Sequence, residues 1–267
     1  MSILFSGDFH ANSRGELRFI TKETLIDKYG QEIYGGIKYH IILGDAGFMW
    51  RHNKEKDIQS YVALAKRRFL VLCVIGNHEP IYGMKNIPEA DIGLGEAVYQ
   101  INSEPFVAYL KRGKVYTIDG IKFLVLGGAL SIDKDIRIPN KTWWKREYWS
   151  KQEKQDLFTL LESDNTFDAV ISHTGPWFIN RELFKYTGTY YDKSFDEVAK
   201  LNDAVHNKIE FQEWWCGHWH KDRYHYIEAK NHGYQYLYET TKVIEKAEGR
   251  LLVHNEYGME RLPLKEG

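Results

Sequence analysis

The stretch FLVLCVIGNHE, residues 69–79, decides the fold. It opens with an unbroken apolar run, Phe69 to Ile75, and ends abruptly in Gly-Asn-His-Glu. A short, continuous apolar run rich in Val, Ile and Leu reads as a strand buried on both faces, as in a parallel sheet. In α/β sheets, ligand sites gather beyond the carboxyl ends of such strands. Asn77 and His78 stand at that end.

The same pattern recurs on both sides. SILFSGDFH (2–10) is an apolar run delivering Asp8 and His10, and KYHIILGD (38–45) ends in Asp45. DAVISH (168–173) ends in His173, and EWWCGHWH (213–220) ends in His218 and His220. Between these runs lie helical patterns. KETLIDKYG places Leu25, Ile26 and Tyr29 on one face, and KEKDIQSYVALAKRRF repeats at helical spacing. Ser150 and Glu153 form an S-x-x-E capping signature ahead of Leu157, Leu160 and Leu161, and DEVAKLNDAVHNKI also reads as a helix. VYTIDGIKFLVLGG reads as a hairpin turning on Asp119-Gly120. After residue 220 the chain turns β-rich, in RYHYIE, YQYLYE and RLLVHNEY. With no repeat and no Pro/Gly-rich linker, residues 1–267 read as one α/β domain with two sheets.

Composition narrows the function. The chain has 36 basic and 37 acidic residues, so the balance lacks the excess of positive charge that general nucleic-acid binding requires. No apolar run approaches the ~20 residues of a membrane span. Cys73 and Cys216 both sit in apolar runs, which predicts reduced, buried thiols and a cytoplasmic protein. No obligate protein partner is evident.

Donor chemistry makes the strand ends a site. Imidazoles and carboxylates suit Mn, Fe, Zn, Co or Ni. In an extended segment residues i and i+2 point the same way, so Asp8 and His10 are placed to chelate one ion. The glycines before Asp8, Asp45, Asn77 and His218 permit unusual backbone angles and close approach. His40, His52, His206, His225, His232 and His254 lie outside these motifs and read as ordinary core or surface histidines.

In order, GDFH, GDAG, GNHE, SHTGP and GHWH closely resemble the signature of the calcineurin-like metallophosphoesterases: D-x-H, GD, GNH[DE], a lone His, G-H-x-H. The resemblance extends from residue 7 to residue 220. It implies a four-layer α-β-β-α sandwich of two mixed sheets flanked by helices. It also implies a dinuclear centre of two divalent transition-metal ions, manganese being favoured. Asp8, His10, Asp45 and His220 would hold the first ion, and Asp45, Asn77, His173 and His218 the second, with Asp45 bridging. His78 would face the substrate phosphate. The implied activity is hydrolysis of a phosphomonoester or phosphodiester by a hydroxide bridging the metals, with His78 assisting.

Two segments qualify this expectation. The Ser/Thr protein phosphatases of the superfamily carry GDxVDRG at the second motif, whereas this chain has GDAGFMWRH, with Phe48 in place of the second aspartate. That departure counts against protein phosphatase activity and the neutral charge against nuclease activity, and both stand as alternatives, as does a non-catalytic scaffold. Arg51 is a candidate phosphate contact in compensation. TWWKREYWSK (142–151) interleaves rings with cations, as in sites that stack a base and hold its phosphate. Trp143, Trp144 and Arg146 are thus candidate substrate contacts, on an aromatic lid insertion around 131–150. A small phosphoester of nucleotide type is the substrate they suggest. The plainer reading is that these rings cap the core ahead of the helix starting near Ser150.

Overall fold

The structure, a computed structural model, describes residues 2–10, 20–49, 58–59, 69–83, 86–185, 196–255 and 258–261. Most of the helix expected over KEKDIQSYVALAKRRF, together with Arg51 and His52, lies outside the described residues.

Strands are numbered in chain order. The first sheet is built on three adjacent parallel strands, β1 (Ser2–Ser6), β2 (Ile37–Ile42) and β3 (Leu70–Cys73). Beyond β3 lie β6 (Val107–Tyr109), parallel to it, then β5 (Val98–Asn102) and β4 (Glu89–Ala90), antiparallel. Beyond β1 lie β13 (Thr241–Ala247), β14 (Arg250–Asn255) and β15 (Gly258–Arg261), all antiparallel. The second sheet has β9 (Ala169–Ser172) and β10 (Glu213–Cys216) side by side and parallel. It is completed by β8 (Ile121–Leu126) and β7 (Lys114–Ile118) on one side, and by β12 (His232–Tyr236) and β11 (Arg223–Ile227) on the other. The β7–β8 turn has Asp119 at φ 52° and Gly120 at φ 76°, the paired left-handed residues that match strand twist.

Strand alternation sorts the side chains into three apolar layers. Ile3, Phe5, Ile41 and Leu72 face inward and meet Phe123, Val125, Ile171 and Trp215 of the second sheet. Leu4, Ile42, Val71 and Cys73 face outward, under Leu25, Tyr29 and Tyr34 of α1 (Lys22–Gly36), a helix kinked at Gly30. Leu124, Val170 and Trp214 face the other way, against α2 (Lys151–Ser163), α3 (Trp177–Lys185) and α4 (Glu197–His206). The result is the α-β-β-α sandwich, two mixed sheets with flanking helices. α2 begins on a complete capping box, with Ser150 accepting from Glu153 N and the Glu153 side chain accepting from Ser150 N. Cys73 and Cys216 are both free and buried.

Three buried histidines outside the donor motifs make this fold sensitive to acid. Desolvation pulls His40 down to about 3, and His206 and His232 down to about 4. Each therefore folds as a neutral imidazole. An unfolded histidine titrates near 6.5, so the unfolded chain takes up protons first as the pH falls. Stability from these groups is complete above about pH 6.5 and is lost progressively down to about pH 4 for His206 and His232 and about pH 3 for His40. His206 and His232 pack edge-on at 5.6 Å, and His232 stacks on Phe211 at 4.0 Å, so phenylalanine preserves the packing. Thermal melts between pH 7 and 4.5 should show the His206→Phe/His232→Phe protein losing on the order of 5–10 °C less than wild type. Equal losses would contradict this assignment.

Candidate metal centre

The carboxyl ends of β1, β2 and β3 in one sheet and of β9 and β10 in the other supply the donors. The structure brings all eight motif side chains together. The Asp8, His10 and His220 donor atoms lie within 4.8 Å of one another, as do those of Asp8, Asp45 and His173. Asn77 Oδ1 is 3.0 Å from His173 Nε2, and the His218 ring lies 5.0 Å from that of His173. His78 Nε2 is 3.7 Å from Asp45 Oδ2. Asp45 Oδ2 is also 3.4 Å from His173 Nε2 and 4.0 Å from His10 Nε2, so one carboxylate faces donors of both groups.

The backbone is bent to achieve this. Asp8, His10, Asp45, His218 and His220 all have positive φ, between 30° and 70°. Such angles are uncommon outside glycine, and strained residues cluster at functional sites. Gly44, at φ 90°, has no room for a side chain, since a Cβ there would overlap the His173 ring.

The electrostatics fit a cation. Asp8 is fully buried, and neither carboxylate oxygen meets a hydrogen-bond partner. Desolvation pushes its carboxyl up to about 8. His218 Nε2 is likewise buried and orphaned, and desolvation holds that imidazole well below its usual range. Desolvation also lowers His10, to about 4. Burial works against a charged His173, but the adjacent Asp45 overrides it and raises the ring to about 10. Buried polar atoms without partners are costly, and a divalent ion would satisfy them, taking the place of the proton that Asp45 favours on His173.

Supporting groups hold the donors in register. His173 Nδ1 donates to Leu43 O at 2.8 Å, which leaves Nε2 turned toward Asp45 and Asn77. Asn77 Nδ2 donates to Ser131 Oγ at 3.0 Å, and that hydroxyl donates to Glu147 Oε2 at 2.6 Å. This pairing keeps Asn77 Oδ1 facing the donor cluster. Glu79 accepts from Gly76 N and Asp45 N at 2.6 and 3.1 Å and so ties the GNHE loop to the GDAG loop.

Sequence reasoning missed Arg137. Its two terminal nitrogens lie 2.8 Å from Nδ1 and Nε2 of His78, so the guanidinium spans the ring. Asp133 holds Arg137 Nε at 2.6 Å, and Arg137 Nη1 donates to the Thr142 carbonyl at 3.1 Å. Arg146, by contrast, is exposed and pairs with Glu153 at 3.8 Å, in a cavity of about 310 Å³ shared with Lys111 and Arg112. Trp143 and Trp144 are half-buried on the segment that carries Arg137. Trp149 is in the core, donating to Gly127 O at 2.8 Å. Phe48 is fully buried among core residues.

A sandwich with Asp, Asn and His donors at these five strand ends defines a class of metal-dependent esterase. The chain belongs to the calcineurin-like phosphoesterase family, whose model matches residues 1–222. Its members are generally phosphoric ester hydrolases and typically bind two metal ions. No curated protein matches the sequence significantly. Solved structures share the fold at low identity. The TT1561 protein of Thermus thermophilus is 11% identical, with 96% of this chain and 98% of that one covered at a TM-score of 0.52. The phosphopantetheinyl hydrolase of Mycobacterium tuberculosis is 13% identical, covering 89% and 90% at 0.50. GAP50, the anchor in the inner membrane complex of Plasmodium, is 10% identical, covering 100% and 89% at 0.52. Among the described residues no helix is long and apolar enough to cross a membrane.

Proposed function

We propose that this centre hydrolyses a phosphomonoester or phosphodiester with two divalent transition-metal ions, manganese first among them. The observation that carries the reading is the pair of donor groups Asp8–His10–His220 and Asp8–Asp45–His173, which share Asp8, with Asp45 also facing His10 and His78. Asp8, His10, Asp45 and His220 would hold one ion, and Asp45, Asn77, His173 and His218 the other. Bound there, the ions would supply an acidified water and neutralise charge on the phosphoryl oxygens.

The protein's own groups do the rest. Asp45 accepts the His78 backbone N–H at 2.9 Å, so the carboxylate that would bridge the two ions also sets the position of His78. The His78 side chain is 31% exposed, an edge of the cluster that solvent reaches. Arg137, which covers both ring nitrogens, would move onto a phosphoryl oxygen and so free the ring to give a proton to the leaving oxygen. The strained, buried donor backbone fixes the cluster before substrate arrives, which lowers the reorganisation needed on binding. The expectation of a nucleotide substrate rests on stacking by Trp143 and Trp144. With Trp149 in the core and Arg146 paired to Glu153, it keeps those two half-buried rings. The two free, buried thiols favour a cytoplasmic location.

The test is turnover of p-nitrophenyl phosphate and bis(p-nitrophenyl) phosphate. Hydrolysis of at least one ester, abolished by chelator and restored by Mn²⁺, is the expected result. No turnover with Mn²⁺, Fe²⁺, Zn²⁺, Co²⁺ or Ni²⁺ would contradict the proposal.

A further inference from the structure

Within the Asp8–His10–His220 group, His220 is the least enclosed donor. Its side chain is 37% exposed, against 7% for His10 and 0% for Asp8, so burial does not fix its ring as it fixes theirs. An open side chain keeps its rotamer freedom unless a neighbour removes it. Tyr238 is such a neighbour. Its ring lies parallel to that of His220, with centroids 4.4 Å apart and 4° between the planes. In this orientation His220 Nε2 is 3.7 Å from Asp8 Oδ1, and the His10 ring meets His220 at 5.0 Å. Tyr238 is itself held. It lies on the crossover 237–240, which takes the chain from β12 in the second sheet to β13 in the first. Leu237 N donates to Cys216 O at 2.9 Å, and the Leu237 carbonyl fills the space that a Cβ on Gly7 would need. The Asp222 carboxylate then accepts three successive backbone N–H groups, from Tyr238 and Glu239 at 2.9 Å and from Thr240 at 3.3 Å. A side chain two residues after His220 thus grips the turn whose ring stacks on His220.

We propose that Tyr238, held by Asp222, is a positioning residue of the metal centre and sets the affinity for the ion of the Asp8–His10–His220 group. The inference rests on the dinuclear reading and adds to it a residue outside the five motifs. Stacking confines the imidazole to the orientation that keeps Nε2 toward Asp8, so this donor is ordered before an ion arrives. An ion binds more weakly in proportion to the fraction of chains whose ring is turned away. The ring face of Tyr238 does this work, and phenylalanine presents the same face.

The experiment is calorimetric titration of metal-free protein with Mn²⁺, followed by turnover of both p-nitrophenyl esters at low and saturating Mn²⁺. Tyr238→Ala should weaken one ion by about tenfold and leave the other within about twofold of wild type. Tyr238→Phe should bind both ions as wild type does, and Asp222→Ala should weaken the same ion as Tyr238→Ala. In a His220→Ala background, Tyr238→Ala should change nothing further, since its effect passes through that ring. Saturating Mn²⁺ should restore kcat in Tyr238→Ala, which loss of a reacting group would not allow. Tyr238 is half-buried and Asp222 exposed, so neither substitution opens the core, and thermal melts of the metal-free proteins check this. Unchanged affinity in Tyr238→Ala, equal loss at both ions, or an equal loss in Tyr238→Phe would overturn the inference. Wild-type protein that binds two ions without turnover would remove the esterase reading but not this inference, which the titrations decide. Wild-type protein that binds no ion would overturn both.

Discussion

Asp45→Asn is expected to lower kcat/KM by at least about 10³-fold and to cut the bound metal from about two ions per chain to one or fewer. The geometry explains the size of the effect. Asp45 is 2% exposed, and its Oδ2 faces His10, His78 and His173 within 4.0 Å. Asparagine replaces one of the two acceptor oxygens with an NH₂ donor and removes the charge. Its one oxygen cannot both accept the His78 backbone N–H, as Oδ1 does, and face His10 and His173, as Oδ2 does. The backbone should tolerate the change, because Asp45 sits at φ 47° and asparagine adopts left-handed angles readily. The substitution therefore isolates the carboxylate chemistry from the fold. Elemental analysis and steady-state kinetics on the same sample check it. Retention of two ions with full turnover would show that Asp45 does not bridge.

His78→Ala should behave differently. The His78 side chain belongs to neither of the two close donor groups, and it is partly exposed to solvent. Its removal should leave about two ions per chain and reduce kcat by about 10²–10⁴-fold, the usual contribution of a positioned acid or base. Arg137 should then hold phosphate without a proton donor beside it, so KM should change far less than kcat. Loss of metal in His78→Ala would move this residue into the donor set, and unchanged turnover would end its assigned role. The pair is informative together, since one variant should lose both metal and activity and the other activity alone.

Much of this arrangement was legible because its chemistry is local. A strand end that carries Asp8 and His10, or Asn77 and His78, puts its donors next to its own apolar run, and pairing them needs no tertiary information. Order along the chain then supplied the fold. The groups that hold the donors are a different matter. The Leu43 carbonyl that orients His173 has no side-chain signature at all. Ser131 and Glu147 act across 54 and 16 positions, on Asn77 and on each other, and look like ordinary polar residues in a hydrophilic stretch. Arg137 was hidden among the cations of the same segment. Arg51 and Arg146 drew attention by proximity to a motif or to tryptophans, whereas contact with His78 is decided by how residues 131–142 cross the site. The ion pair of Asp133 with Arg137, at i and i+4, was the one local sign that this arginine is held in place. Strands β4 to β6 escaped notice because they are two to five residues long and lack a clean alternation. Helix α3 follows Gly-Pro at once and is only nine residues long, so the turn signal masks its short apolar face.

The most direct test of the central claim is anomalous diffraction from crystals of protein loaded with Mn²⁺. Two peaks about 3.5–4 Å apart are expected, with Asp45 between them and His78 outside both coordination shells. A single ion, or two ions sharing no carboxylate, would contradict the bridged centre.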